Sequence, residues 1–187
     1  ILSFLFNKGR KNEAIFKNNL KSFFFTDNIL LTSQGRVAAY NIFKIILSEK
    51  KKEILISPYT LTEVINAIIY AGGIPNYVEI DLQTGLPLED DLDKKINEKT
   101  AGLVITHLYS SRENILNFHR KYYGKVKIIE DVAINFGAKI DQGKLLGTIF
   151  DYGFYSFGVM KNLCTFHGGA IFSRDKIKLN EIEKNLN

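Results

Sequence analysis

Lys161 stands among apolar neighbours, Phe157, Val159, Met160, Leu163 and Phe166, in the run YSFGVMKNLCTFHGG at 155–169. Desolvation lowers the pKa of an ammonium and makes the amine a nucleophile, whereas a long lysine stem also lets the head snorkel to water. Taken alone, the segment fits both readings. Upstream, Glu130 and Asp131 directly follow VKII (126–129). A carboxylate there can hold a cationic ring nitrogen or a sugar hydroxyl, and it can equally cap a turn. The segment Thr32 to Arg36 (TSQGR) precedes a helical pattern. The free N–H groups of that first turn, approached closely through Gly35, suit a phosphate, although such a turn also serves plain capping. His107, after GLVIT (102–106), is similarly placed but reads as a structural histidine.

In combination, these segments offer an anion turn, a strand-end carboxylate, the Ser156 hydroxyl and an amine in an apolar loop. Pyridoxal phosphate needs this set: an amine for covalent attachment, a carboxylate against the pyridine nitrogen, and a cup for the phosphate.

Such groups must be brought to one edge by the elements that carry them. Residues 11–25 have a rough helical rhythm, broken at Thr26–Asn28 before the apolar Ile29–Leu31; a second helix is expected over 36–48. From there strand and helix alternate. Strands are expected at 53–57, 75–80, 102–106 and 126–129, and helices at 60–72, 88–98 and 111–123. Then come a hairpin in AKIDQGKLLG (138–147), turning at Asp141, Gln142 and Gly143, the strands FYSF and GGAIFS, and a polar helix over 175–187. Short, mainly apolar strands signal burial on both faces, so the expected fold is α/β, a mostly parallel sheet flanked by helices on both faces. In such a sheet ligands bind beyond the carboxyl ends of the strands.

The chain has 187 residues, 45% of them apolar and 24% charged, enough for one domain with its own core. Its net charge of +5 comes from basic residues scattered among acidic ones, which argues against nucleic acid as a partner. One cysteine, Cys164, gives neither an internal disulfide nor paired zinc ligands, so no metal is expected, and this usage fits a reducing cytoplasm. No apolar run reaches the roughly 20 residues of a membrane helix, and Ile1–Phe6 lacks the flanks of a signal peptide. A cytoplasmic protein without membrane insertion is expected. The turn before Arg36 and GKLLG (143–147) raise a nucleotide-phosphate reading, but no P-loop or GxGxxG fingerprint accompanies them.

The chain resembles the DegT/StrS-type sugar aminotransferases, a branch of the aspartate aminotransferase fold. The resemblance runs from about Thr32 to Asp175 and is most specific in IIEDVAINFGA (128–138), LLGTIFDYGFYSFGVMKN (145–162) and GGAIFSRD (168–175), with weaker matches in SQGRVAA, VINAIIYAGGIPNYVEID and VITHLYS. It implies that Lys161 bonds covalently to pyridoxal phosphate and shuttles the proton during amino transfer. Asp131 would hold the pyridinium nitrogen and Ser156 would donate to the phosphate, with the backbone N–H groups of Gly35 and Arg36. The sister dehydratases carry histidine in place of the lysine, so Lys161 favours amino transfer, from glutamate or a similar donor to a nucleotide-linked keto sugar, by a homodimer.

Four positions depart from the family's pattern. Ile134 stands where the family usually has Gln, Phe136 where it has histidine or a similar residue, Leu61 where a ring-stacking aromatic is common, with Tyr59 nearby, and Arg36 where a small Thr is usual. Family members also continue into a smaller carboxyl-terminal domain. The expected organisation is therefore a single cofactor-binding large domain over 1–187, its first 30 residues an N-terminal helical segment, without that small domain. The alternative to an aminotransferase is a non-catalytic relative that keeps the fold for dimerisation or partner binding.

Overall fold

A computed structural model of the chain describes residues 2–108, 114–140 and 143–186. Thirteen elements follow in order: α1 (Leu2–Phe24), β1 (Ile29–Thr32), α2 (Gly35–Ile46), β2 (Glu53–Ile56), α3 (Thr62–Tyr70), β3 (Ile74–Tyr77), α4 (Glu89–Lys95), β4 (Thr100–Thr106), α5 (Ile115–Tyr122), β5 (Lys127–Asp131), β6 (Tyr152–Ser156), β7 (Gly169–Ser173) and α6 (Lys176–Leu186). The strands form one sheet in the order β1-β7-β6-β5-β4-β2-β3. Pairings from β6 through β5, β4 and β2 to β3 are parallel, and β7 runs antiparallel to both its neighbours, β1 and β6. Six strands thus point one way, with β7 alone reversed.

Alternation along each strand divides the core into two layers. Leu30, Ile54, Ile56, Val104, Ile129, Phe154 and Ile171 pack with Ala38, Ile42 and Phe43 of α2, Val64 and Ile68 of α3, and Leu179 and Ile182 of α6. Their sequence neighbours Ile29, Leu55, Leu103, Ile105, Ile128, Tyr155 and Phe172 face Leu20 and Phe24 of α1, Leu92 of α4, and Ile115, Phe118 and Tyr122 of α5. Helices therefore cover both faces, which is why β4 and β7 could be written in almost unbroken apolar residues.

The edges differ from the centre. Strand β3 is half exposed and carries Pro75, whose missing N–H suits an outer strand; it ends at Tyr77, and Ile80, expected within it, instead bridges Pro87. Helix α1 begins well before residue 11, and its last turns, with Leu20 and Phe24 buried, make it part of the core. The hairpin expected over 138–147 is short: among the described residues it keeps the bridge Lys139 to Leu145, with Ile140 N–H donating to Lys144 O, Leu146 N–H to Ala138 O and Gly143 N–H to Ile140 O. Asp141 and Gln142 of its turn lie outside the described residues, as do Ser111 at the expected helix start, Tyr109 and Ser110 of VITHLYS, and the terminal Ile1 and Asn187. Among the described residues no helix is long and apolar enough to cross a membrane, and no group of His, Cys, Asp and Glu could hold a metal ion.

Candidate active site

Register decides which residues share the carboxyl edge of the sheet. Gly169 at the start of β7 pairs with Thr32 on one side and Ser156 on the other, while Asp131 pairs with Phe154 and with Thr106. Thr32, Ser156, Asp131 and Thr106 therefore end neighbouring strands along one rim. Strand alternation then selects the face: Asp131 follows Ile129, and Ser156 follows Phe154, onto the side covered by α2 and α3. Glu130 turns the other way.

That parity gives two adjacent carboxylates opposite fates. Glu130 is fully buried; its Oε1 accepts from the N–H groups of Ile149 (2.8 Å) and Phe150 (3.0 Å), and its Oε2 accepts from Gly147 N–H (2.7 Å) and meets His107 Nε2 at 3.0 Å. Four partners leave it no capacity for a ligand, so it ties the 147–150 loop and β4 to β5. Asp131 is also buried, but among the described residues its Oδ1 accepts only the Ala133 N–H (3.0 Å), and its side chain lines the cleft. Burial pushes its pKa up to about 6, against the opposing pull of that N–H and the charges of His107 and Lys161.

Close backbone approach builds the other wall. A Cβ on Gly35 would fall 2.7 Å from Ser156 Cβ, and one on Gly169 the same distance from Gly35 N, so α2 starts directly against the end of β6. Gln34, the residue before that helix, makes no side-chain cap; its carbonyl takes the N–H groups of Val37 and Ala38 (3.1 Å each), and among the described residues no side chain covers those of Gly35 and Arg36. Thr32 Oγ1 donates to Gln34 O (3.0 Å) and fixes the turn.

Lys161 sits on the loop between β6 and β7, partly buried, and among the described residues its amine forms no hydrogen bond or ion pair. The apolar neighbours that made it conspicuous do not enclose it, because Val159, Met160 and Phe166 turn outward, Met160 being 94% exposed. Two hollows meet at the lysine, of about 330 and 380 Å³, and Leu61, Asp131, Ala133 and Lys161 line both. Ser156, Gly35 and Arg36 line only the second, Tyr59, His107 and Ile134 only the first. All five candidate residues thus border one continuous cleft. Its amine and carboxylate face it without touching each other, and a ready anion cup lies to one side. A larger hollow of about 870 Å³, between α1, β1 and α6, lacks the lysine and the aspartate.

Two residues behave in ways the sequence did not announce. Phe136 points away from the cleft into an aromatic cluster, stacked on Phe23 at 5.3 Å and edge-on to Phe157 at 5.7 Å, which explains an aromatic at a position the family gives to a polar group. Asn162 Nδ2 donates to Phe136 O (2.8 Å), anchoring the lysine loop. Its place next to Lys161 was its only signal.

The family model of the DegT/DnrJ/EryC1/StrS aminotransferases matches residues 3–186. GDP-perosamine synthase of Escherichia coli O157:H7 is 31% identical over 147 residues, 77% of this chain and 40% of the relative. dTDP-4-amino-4,6-dideoxy-D-glucose transaminase of Shigella dysenteriae is 26% identical, over 95% of this chain and 48% of the relative. The chain spans less than half the length of these two relatives. Among solved structures, Helicobacter pylori PseC, an aminotransferase involved in the biosynthesis of pseudoaminic acid, superposes with a TM-score of 0.79 at 21% identity, over 91% of this chain and 46% of that one. The sugar aminotransferase CalS13 from Micromonospora echinospora gives the same TM-score at 24% identity, over 90% and 48%. These likenesses show the fold.

Proposed function

Since the chain belongs to the DegT/DnrJ/EryC1/StrS aminotransferase family, we propose that it is the cofactor-binding large domain of a pyridoxal-phosphate-dependent sugar aminotransferase. It would move an amino group from an amino acid such as glutamate to a nucleotide-linked keto sugar. The observation that carries this reading is the shared cleft in which the Lys161 amine and the Asp131 carboxylate both keep unused bonding capacity. The fit to the cofactor is further supported by the Gly35–Ser156 approach, a cradle that a single Cβ would fill.

When bound, the cofactor supplies an electrophilic carbon for amines and a ring that withdraws electrons. Lys161 Nζ would hold it covalently and, once released, carry a proton between the substrate carbon and the cofactor carbon. Asp131 would keep the ring nitrogen protonated, and the cation so held would in turn draw its carboxyl back toward the ionised form. Ser156 Oγ and the N–H groups of Gly35 and Arg36 would bind the phosphate. Glu130 would act at a distance, by fixing the strand that presents Asp131. Leu61 and Tyr59, 54% and 55% exposed, together with Ile134, Val159, Met160 and Phe166, surround the mouth with open apolar surface, which supports a homodimer.

Mixing the purified chain with pyridoxal phosphate tests this reading. A visible absorption band should appear, and borohydride reduction should fix the label to Lys161 by peptide mass. If no adduct forms, the cofactor reading is wrong. A second reading, a non-catalytic relative acting in dimerisation or partner binding, is favoured by Phe136 turned into the core and by apolar Ile134 on the cleft wall. A band that no amino donor bleaches would select it.

A further inference from the structure

Arg36 contributes its backbone to the anion cup, but its side chain has no part in the chemistry above. It is the second residue of α2, it borders the same hollow as Ser156 and Lys161, and its Nε donates to the Gln34 side-chain oxygen. Among the described residues it forms no ion pair, although Glu63 lines that hollow too. A guanidinium carries five N–H donors, so most of its fork is uncommitted. The same hollow holds a second uncommitted group: Asp131, 5% exposed, whose Oδ2 has no hydrogen-bond partner among the described residues. An anion cup beside a buried carboxylate at the foot of one cleft fits a ligand with a cationic end and an anionic end.

We propose that the Arg36 side chain is a recognition residue for the phosphate monoester of that ligand, supplying a full positive charge to a cup otherwise made of neutral donors. The inference rests on the cofactor reading given above. A helix start contributes about half an elementary charge and Ser156 a neutral donor, whereas a phosphate monoester carries close to two negative charges. A guanidinium adds a charge-assisted, planar contact that a hydroxyl side chain cannot match. Because Arg36 is exposed, the gain must be sensitive to salt.

The experiment is a titration of the unsubstituted chain, R36T and R36K with pyridoxal phosphate, with pyridoxal and with a nucleoside diphosphate, at about 0.05 M and about 0.5 M salt. Binding is read from cofactor absorbance and protein fluorescence. R36T should weaken pyridoxal phosphate about tenfold at low salt and much less at high salt, R36K should restore most of the loss, and pyridoxal should bind all three alike. Equal weakening of pyridoxal and its phosphate, no weakening of either, or a loss confined to the nucleoside diphosphate would overturn the assignment. If the unsubstituted chain binds neither pyridoxal form, the cofactor reading itself fails. If it binds both and R36T changes nothing, only the role of Arg36 is lost.

Discussion

On the cup side of the cleft, Gly35, Ser156 and Gly169 are locked together by strand register and by backbone contact too close for a methyl group. On the lysine side, residues 158–168 have neither strand nor helix, and a few bonds hold them, among them Asn162 to Phe136 O and Thr165 N–H to Phe157 O at 2.9 Å. Met160 and Phe166 adopt positive φ, of 69° and 65°, in that loop. The contrast suits the two tasks proposed for these walls. A phosphate needs donors that do not move, while an amine that must bond, leave and carry a proton needs play.

Substitutions on each side can break or sharpen this contrast. Lys161→Ala should abolish the reducible adduct completely, yet move the thermal midpoint of the cofactor-free chain by only about 1 °C, because its side chain makes no bond that folding depends on. A drop of many degrees would show that the loop is as built-in as the cup. Gly35→Ala should do the reverse, costing about 1–3 kcal/mol in denaturant unfolding and weakening the cofactor even where the chain folds, since the new methyl meets Ser156.

Asp131→Asn tests the floor between the walls. The aspartate binds its proton more tightly folded than unfolded, its pKa rising from 3.8 to about 6. Stability therefore falls as pH climbs through that window and stays lower above it. The asparagine variant should be more stable by about 2 kcal/mol near pH 7.5, with the gain gone near pH 4, while its adduct forms but reacts slowly with donors. Unfolding curves at the two pH values check the first part and stopped-flow absorbance the second; a variant destabilised at both pH values would mean that Asp131 is structural.

The smallest effect is expected far from the cleft. Among the described residues the buried Nε2 of His119 has no partner, and its pKa is lowered by burial and by the Arg174 and Lys144 charges. The unfolded chain therefore takes the proton first as pH falls below 6.5, and stability declines. His119→Gln should flatten that decline between pH 7 and 5.5; an unchanged slope would place the acid sensitivity elsewhere.

Periodicity made the sheet and most helices legible. The apolar runs EILIS, GLVIT and VKII all became inner strands, because burial on two faces writes itself into composition. The candidate residues were legible through motif order, and their convergence was not, since Thr32 and Ser156 share an edge only through Gly169 of the reversed strand β7. Nor could spacing separate Glu130 from Asp131. One residue of strand parity sends the first to a buried knot of backbone N–H groups and leaves the second facing the cleft. The apolar loop around Lys161 also misled, because residue type does not say whether Met160 and Phe166 fold over the amine or away from it.

The reversed strand sets an order of events during synthesis. β1 leaves the ribosome well before its partner in the sheet, β7, so it waits with an open edge while residues 33–168 are made. A nascent chain stalled before Gly169 should lack a formed cup and expose the β1 segment to proteases, and release of β7 should protect it.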